Sequence, residues 1–184
     1  MELADYCRAG CLAILQTYCI EANVTAVHVR AFDALQVACT HGNLKIARWL
    51  QQTFQLTALD ARKCNNYILR WACADGYLEL ARWLQQTFQL TPEDARAEDN
   101  FALCWACARG HLEVARWLQQ TFQLTVHDAR AAGNYALLWA CAGGHLGIVC
   151  WLQQTFQLTA TDARAEDNFA LRSACDHGHL DVAR

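Results

Sequence analysis

The sequence predicts an all-α solenoid of stacked helical repeats, and three observations predict it. The block Ala-Arg-Trp-Leu-Gln-Gln-Thr-Phe-Gln-Leu-Thr occurs at residues 47–57, 81–91 and 115–125, and with two substitutions at 149–159, always 34 residues apart. Cys39, Cys73, Cys107, Cys141 and Cys175 follow the same period, each preceded by alanine. Between these landmarks lie helix-start residues and apolar positions at helical spacing, with one proline in the whole chain. A fixed period of this length marks a stacked array, because one such unit cannot bury its apolar face alone.

Each element can be justified in order along one repeat. Thr91-Pro92-Glu93-Asp94 offers a capping threonine, proline at the first helical position and a carboxylate at the third. That combination starts a helix and puts acid at the positive end of its dipole. Thr57 with Asp60, Thr125 with Asp128 and Thr159 with Asp162 repeat it, so a short helix is expected in each repeat, running to about Asp99 in this one. Asn100 then caps a second, inner helix over 101–108, ended by Gly110. Leu103, Ala106 and Cys107 read as its buried side. A third, outer helix runs from about Leu112 to Gln123. Its Leu112, Ala115, Leu118 and Phe122 form the apolar stripe, with Glu113, Arg116 and Gln120 outside. The connection Arg109-Gly110-His111 is short, so these two helices lie antiparallel.

The array spans the whole chain, 1–184. Cys7, Leu3, Gly10, Leu12, Thr25 and Arg30 align with Cys39, Leu35, Gly42, Leu44, Thr57 and Arg62 at an offset of 32. The first repeat, 1–30, is therefore divergent and has a connection two residues shorter between Arg30 and Leu35. Well-kept repeats follow from about 31 to 167, and a last one occupies 168–184. In earlier repeats Trp-Leu follows the position of Arg184, so the end reads as a fragment boundary rather than a natural capped end.

Composition narrows the function classes. The apolar fraction is 54 %, and 15 Lys+Arg against 18 Asp+Glu give a net charge of −3 with no basic tail. That argues against nucleic acid or an anionic membrane as main partner. No Asp, Glu, Lys or Arg lies between Arg130 and Asp162, a stretch that scans like a membrane span. It nevertheless keeps the skeleton of a repeat, including Gly143, Gly144 and His145. The start, Met-Glu-Leu-Ala-Asp, lacks the regions of a signal peptide. Eleven cysteines suggest disulfides at first sight. Six of them, however, share one position of successive repeats, about 10 Å apart as packed helices are, too far to bridge. Free buried cysteines point to a reducing, intracellular and cytoplasmic compartment.

The motif Asn-Phe-Ala-Leu-x-x-Ala-Cys-x-x-Gly-His-Leu-x-Val-Ala-x-Trp-Leu resembles the ankyrin repeat. Leu69, Leu103, Leu137 and Leu171 match its hallmark leucine, and the Ala-Cys pairs its paired small residues. His111, His145 and His179 match its Gly-His histidine, with Asn43 and Tyr77 standing in elsewhere. The fold class is thus an ankyrin-like α-solenoid. One departure is clear: where the ankyrin unit forms a β-hairpin, Thr-Phe-Gln-Leu-Thr-x-x-Asp-Ala-Arg supplies helix-start chemistry. No strands are expected, and hairpin-tip contacts do not transfer. A tetratricopeptide reading shares the period but wants helices of similar length.

The resemblance implies a scaffold that binds another protein through its concave face. The residue before the glycine and the linker into the inner helix would make the contacts: His41, Asp75, Arg109, Gly143 and His177, with Lys63, Cys64, Ala97, Glu98, Ala131, Ala132, Ala165 and Glu166. These are also the positions that differ most between otherwise copied repeats. The uncharged fifth repeat adds a neutral strip, expected on the surface, over Leu138 and Cys150. Weak self-association through the open C-terminal end is a further expectation. A spacer without a specific partner, or a nucleic-acid-binding array, are the alternatives.

Chemistry finds little support. Cys104-Trp105-Ala106-Cys107 has the spacing of a redox or metal pair, but it lies within the inner helix and Cys107 belongs to the repeating series. Seven histidines show no zinc-ligand spacing, with only His177 and His179 close together, so no metal or other cofactor is expected. Trp71, Trp105 and Trp139 on the inner helix, and Trp49, Trp83, Trp117 and Trp151 on the outer, read as packing ladders rather than base-stacking platforms. Arg62, Arg96, Arg130 and Arg164 read as arginines that reach a carboxylate or carbonyl of the next repeat. No nucleophile motif or phosphate loop is present, and no enzyme is expected.

Overall fold

The computed structural model describes residues 2–31 and 33–184. Met1 and Phe32, the latter inside the shortened connection of the first repeat, lie outside the described residues. The chain divides into two compact units, Met1–Ala72 with Tyr77–Leu90 and Cys73–Gly76 with Thr91–Arg184. The first holds α1 (Leu3–Ala9), α2 (Leu12–Glu21), α3 (Ala26–Ala31), α4 (Ala34–Thr40), α5 (Leu44–Phe54), α6 (Ala58–Ala61), most of α7 (Lys63–Ala74) and α8 (Leu78–Phe88). The second holds α9 (Pro92–Ala95), α10 (Ala97–Ala108), α11 (Leu112–Phe122), α12 (Val126–Ala129), α13 (Ala131–Ala142), α14 (Leu146–Phe156), α15 (Ala160–Ala163), α16 (Ala165–Asp176) and α17 (Leu180–Ala183). Among the described residues there is no strand, so helix-start chemistry has replaced the hairpin as expected.

The short helices form for the reason their sequence gives. At Thr57, Thr91, Thr125 and Thr159 the capping box is complete, the threonine hydroxyl and the aspartate three residues on each serving the other's backbone N–H. The same aspartate then ties one repeat to the one before. Arg30 donates to Asp60 at 2.9 Å, Arg96 to Asp128 at 2.7 Å and Arg130 to Asp162 at 2.7 Å. The arginine ladder thus reaches the next repeat, as its period suggested.

The outer helices bury Ala115, Leu118 and Phe122 of the predicted stripe, while Leu112 is only half-buried and Val114 goes inside instead. Leu84, Leu118 and Leu152 are fully buried, and Phe88, Phe122 and Phe156 nearly so, while Glu113, Arg116 and Gln120 face solvent. Each outer tryptophan stands edge-on to the phenylalanine five residues later, at 5.5–5.7 Å. These helices end on a glutamine in the left-handed region, Gln55, Gln89, Gln123 and Gln157, where glycine is usual. Gln55 and Gln89 each donate their side-chain amide to the carbonyl three residues back.

The inner helices stack on one another, α1 on α4 in the first unit, and α10 on α13 on α16 in the second. Their Ala-Cys pairs are buried at Cys39, Cys73, Cys107 and Cys141. In α16 Leu171 is 50 % exposed. The turn after each inner helix carries a left-handed glycine, and the residue following that glycine in the next repeat lies against it. At Gly110 (φ +87) an added Cβ would meet the His145 ring at 2.8 Å. His145 Nε2 donates to the Ala108 carbonyl at 3.2 Å, and Asn43 does the same work on the Cys7 carbonyl at 2.7 Å. The side chain thereby satisfies a carbonyl that the preceding helix leaves unpaired at its C-terminus.

One local expectation is corrected. Asn100 is not a helix cap: Glu98, Asp99 and Asn100 are all left-handed (φ 53–60°), and right-handed helix begins only at Phe101. The short helix before them correspondingly stops at Ala95 rather than near Asp99. Cys64-Asn65-Asn66, Ala132-Gly133-Asn134 and Glu166-Asp167-Asn168 make the same turn. Left-handed backbone costs roughly 1–2 kcal/mol per non-glycine residue, so strain is concentrated in the linkers that enter the inner helices.

Candidate functional site

Those linkers and the adjacent helix ends carry most of the residues singled out from the sequence. Cys64, Glu98, Ala132 and Glu166 are exposed on the left-handed turns, with Ala97, Ala131 and Ala165 half-buried just before them. Lys63 is exposed but engaged, its Nζ donating to Asp33 and to the Arg30 carbonyl, both at 3.0 Å. Asn66, Asn100 and Asn134, which close the turns, each bury a side-chain carbonyl oxygen without a hydrogen-bond partner.

At the opposite end of the inner helices, His41, Arg109, Gly143 and His177 are exposed and Asp75 is half-buried. His41 Nδ1 donates to the Val37 carbonyl at 2.9 Å and His177 Nδ1 to Ser173 at 2.8 Å, each lying back along its own helix. Arg109 pairs with Asp75 of the preceding repeat, and its guanidinium lies 5.1 Å from the centre of the Trp105 ring. Burial, and then the Arg109 charge, hold the His111 imidazole below its ordinary range.

The neutral strip does not survive. Leu138 is buried, 4 % exposed, whereas Cys150 is exposed on the outer helix α14 beside exposed Leu146 and Gly147. The reason lies in how a helical side chain leans toward the N-terminus of its helix. At the equivalent position Arg70 folds back onto the linker, donating to the Asn65 and Cys64 carbonyls at 2.8 and 2.9 Å. Cys104 occupies the same hollow, its Sγ 3.8 Å from the Asp99 carbonyl, so an apolar residue there is covered rather than displayed.

Between the two ends runs a feature that the sequence reading passed over as packing. In the second unit Phe101, Trp105, Tyr135, Trp139 and Phe169 follow one another at centroid distances of 5.6, 5.9, 5.5 and 5.4 Å. The rings are half-buried except Trp139, which is 42 % exposed. Carboxylates fringe the row: Glu98, Asp99, Glu166 and Asp167 are exposed on the linkers. The Arg109 guanidinium already lies over the Trp105 ring of this row.

Nucleophilic chemistry is poorly served. Burial raises the Cys104 thiol to about 12 and that of Cys141 to about 11, and pushes Cys107 well up too, the reverse of what a reactive thiolate needs. Among the described residues no group of three His, Cys, Asp or Glu is placed to hold a metal ion, and no helix is long and apolar enough to cross a membrane.

Comparison with known proteins bears on the fold. A family model described as ankyrin repeats (3 copies) matches residues 69–162 and 103–184. Among solved structures, an ankyrin repeat family protein from Legionella pneumophila is similar at a TM-score of 0.57 and 15 % identity, over 98 % of this chain and 67 % of that one. At that identity the likeness speaks for the fold alone. No curated protein matches.

Proposed function

The chain belongs to the ankyrin-repeat family, and from that membership we propose that it is a protein–protein interaction module whose partner lies along the exposed side of the inner helices and their linkers. Ankyrin repeats generally bind other proteins; the choice of face is our inference. The observation that carries it is a coincidence of two patterns within this one chain. Residues that stacking requires are buried and copied from repeat to repeat, such as Leu69, Leu103 and Leu137 or Cys73, Cys107 and Cys141. The residues that change are the exposed ones at the helix ends and linkers: His41, Arg109, Gly143 and His177 before the glycine, and Cys64, Glu98, Ala132 and Glu166 on the turns. A surface free to vary while its support is copied is where partner choice is written.

The strained linkers support the same reading, since left-handed backbone at several non-glycine residues is kept where it presents side chains to solvent. With a net charge of −3 and two acidic linkers, Glu98-Asp99 and Glu166-Asp167, the partner is a protein rather than a nucleic acid. The eleven free cysteines suit a reducing, cytoplasmic setting. The module acts by holding its partner and performs no reaction of its own.

The test compares two triple variants in capture from nuclease-treated cell extract. Glu166→Lys with Ala132→Lys and His177→Glu changes the proposed face, and Gln86→Lys with Glu113→Lys and Arg116→Glu changes exposed outer-helix positions. We expect the first to lose specific partners and the second to keep them. Loss in both equally, or in neither, contradicts the reading. A steep fall of binding with salt would instead indicate phosphate contacts.

A further inference from the structure

In four repeats an aspartate completes the cap of the short helix, and in the first repeat an imidazole does its work. Thr91 N and Oγ1 lie 2.8 and 3.2 Å from Asp94 Oδ2, and Thr125 N and Oγ1 lie 2.7 and 3.0 Å from Asp128 Oδ2. The same pair of bonds recurs at Thr57 and Thr159. At α3 the residue three places after the threonine is His28. Thr25 N donates to His28 Nδ1 at 3.1 Å, and Thr25 Oγ1 lies 3.0 Å from the same nitrogen. A backbone N–H can be given only to a bare ring nitrogen, so Nδ1 carries the lone pair and the ring hydrogen is on Nε2. We propose that His28 is a proton-operated catch on α3: a proton taken from solvent at Nδ1 opens this cap, while the four aspartate caps stay shut.

Imidazole is the side chain whose charge ordinarily changes between pH 5 and 8. Once protonated it has two donors and no acceptor, so the Thr25 N–H loses its partner. The new positive charge also sits in the first turn of α3, at the positive end of the helix dipole. The cap therefore contributes while the ring is neutral and is lost as pH falls. The aspartate caps hold much further into acid. Asp162 is kept at about 2, first by the Arg130 hydrogen bond and then, against burial, by the Thr159 bonds. Its folded value is the lower one, so its cap is complete above about pH 4. Asp60 and Asp128 shift in the same direction, burial being outweighed by their arginine and threonine bonds.

The catch matters because α3 ties the first repeat to the second. Arg30, two residues after His28, donates Nε to Asp60 at 2.9 Å, and its carbonyl accepts from Lys63 Nζ at 3.0 Å. Loosening α3 thus reaches α6 and the linker into α7. With six residues α3 is too short to hold itself without its cap and its packing. Little around the ring offsets a new charge. From α2, Tyr18 lines a hollow beside it with Leu3, Ala22 and Val24, and Glu21 is exposed. On α1 Asp5 pairs with Arg8, before α4 Asp33 pairs with Lys63, and Lys45 and Arg48 of α5 are exposed. Among the described residues no carboxylate forms an ion pair with His28. The catch operates whichever face the partner takes.

The test uses the 184-residue chain at about pH 7.5 and about pH 5.5, with amide protection read by NMR and corrected for the intrinsic exchange rate at each pH. The reporter is the Val29 N–H, which donates to the Thr25 carbonyl at 3.1 Å, as Ala129 and Ala163 donate to Thr125 and Thr159 at 3.1 and 3.2 Å. Protection at Val29 should fall about two- to thirty-fold at the lower pH, the range for a lost helix cap, and stay unchanged at Ala129 and Ala163. His28→Asp, which gives α3 the cap of the other repeats, should remove the response. His28→Ala should lower Val29 protection at both pH values. If Val29 exchanges too fast to follow, the Cα shifts of Ala26 and Val29 report the same helix. Ring-nitrogen shifts should show a bare Nδ1 on His28 at the higher pH. A response that persists in His28→Asp, an equal fall at Ala129 and Ala163, no response in the wild type, or an Nδ1–H ring at the higher pH overturns the proposal.

Discussion

Replacing Gly110 by alanine measures the contact that joins neighbouring repeats at the turn. Gly110 has φ +87, and a Cβ built there would stand 2.8 Å from His145 Cε1 and 3.0 Å from Nδ1. The left-handed backbone costs alanine about 1–2 kcal/mol, from which the stiffer unfolded chain returns about 0.4–1 kcal/mol. The larger part comes from the ring, which must leave its place and give up the bond from Nε2 to the Ala108 carbonyl. A lost hydrogen bond is about 0.5–1.5 kcal/mol and the overpacking about 1–3 kcal/mol. Gly110→Ala should therefore destabilise by about 2–5 kcal/mol in the wild-type background. With His145→Ala already present, only the backbone part, about 1 kcal/mol, should remain. The assay is a double-mutant cycle of urea melts followed by circular dichroism, with the slope m compared across the four proteins. Equal cost of Gly110→Ala in both backgrounds would refute the idea that the histidine ring carries this part of the stacking.

Leu84→Ala, at a fully buried outer-helix position, should cost about 2–5 kcal/mol, and exposed Gln86→Ala less than about 0.5 kcal/mol; similar losses in urea melts would mean the facing is misassigned. The Asp162 carboxyl is held at about 2, below its ordinary 3.8, chiefly by the Arg130 hydrogen bond. Because the folded value is the lower one, its contribution is complete above about pH 4 and disappears as pH falls toward 2, so Asp162→Asn should flatten the acid limb of a stability–pH profile. A thiol reagent should label Cys11, Cys64, Cys150 and Cys175 at once and the seven buried cysteines only on unfolding, read by mass spectrometry of the time course. Amide exchange should be fastest after Gly178, since α17 buries no residue and Leu180 is 60 % exposed; protection there would point to association through α17.

What was legible in the sequence was what depends on neighbours a few residues away or one repeat away. The threonine–aspartate boxes are local chemistry, and they replaced the hairpin where their spacing said they would. The outer stripe follows from helical period alone. The arginine ladder is readable because an arginine recurs at one position of each repeat, where it can reach the next. The left-handed turns are not legible at their first positions, because Cys64, Glu98, Ala132 and Glu166 have no preference for that backbone; the Asn, Asp or Gly residues at the two positions after each tolerate it well. Leu138 is buried where a surface is expected, because an arginine at that position, such as Arg70, can lie back along the linker and a leucine can fill the hollow beneath it. The aromatic row was seen as a ladder and read as packing. Its display at Trp139 depends on the residue four positions on, where Gly143 replaces an arginine, and that is a pairing no repeat-by-repeat alignment weighs. Cys150 and Gly143 remain exposed as expected, but on different helices.

The central claim, that a partner protein lies against the inner-helix side, is tested most directly by photo-crosslinking inside cells. Benzoylphenylalanine placed singly at Ala132, Glu166 and His177 would report on the proposed face, and at Gln86, Glu113 and Gln120 on the outer helices; all six positions are exposed. The account predicts one common protein adduct from the first three sites and none of that mass from the other three. Adducts of that mass from the outer-helix sites alone would contradict it.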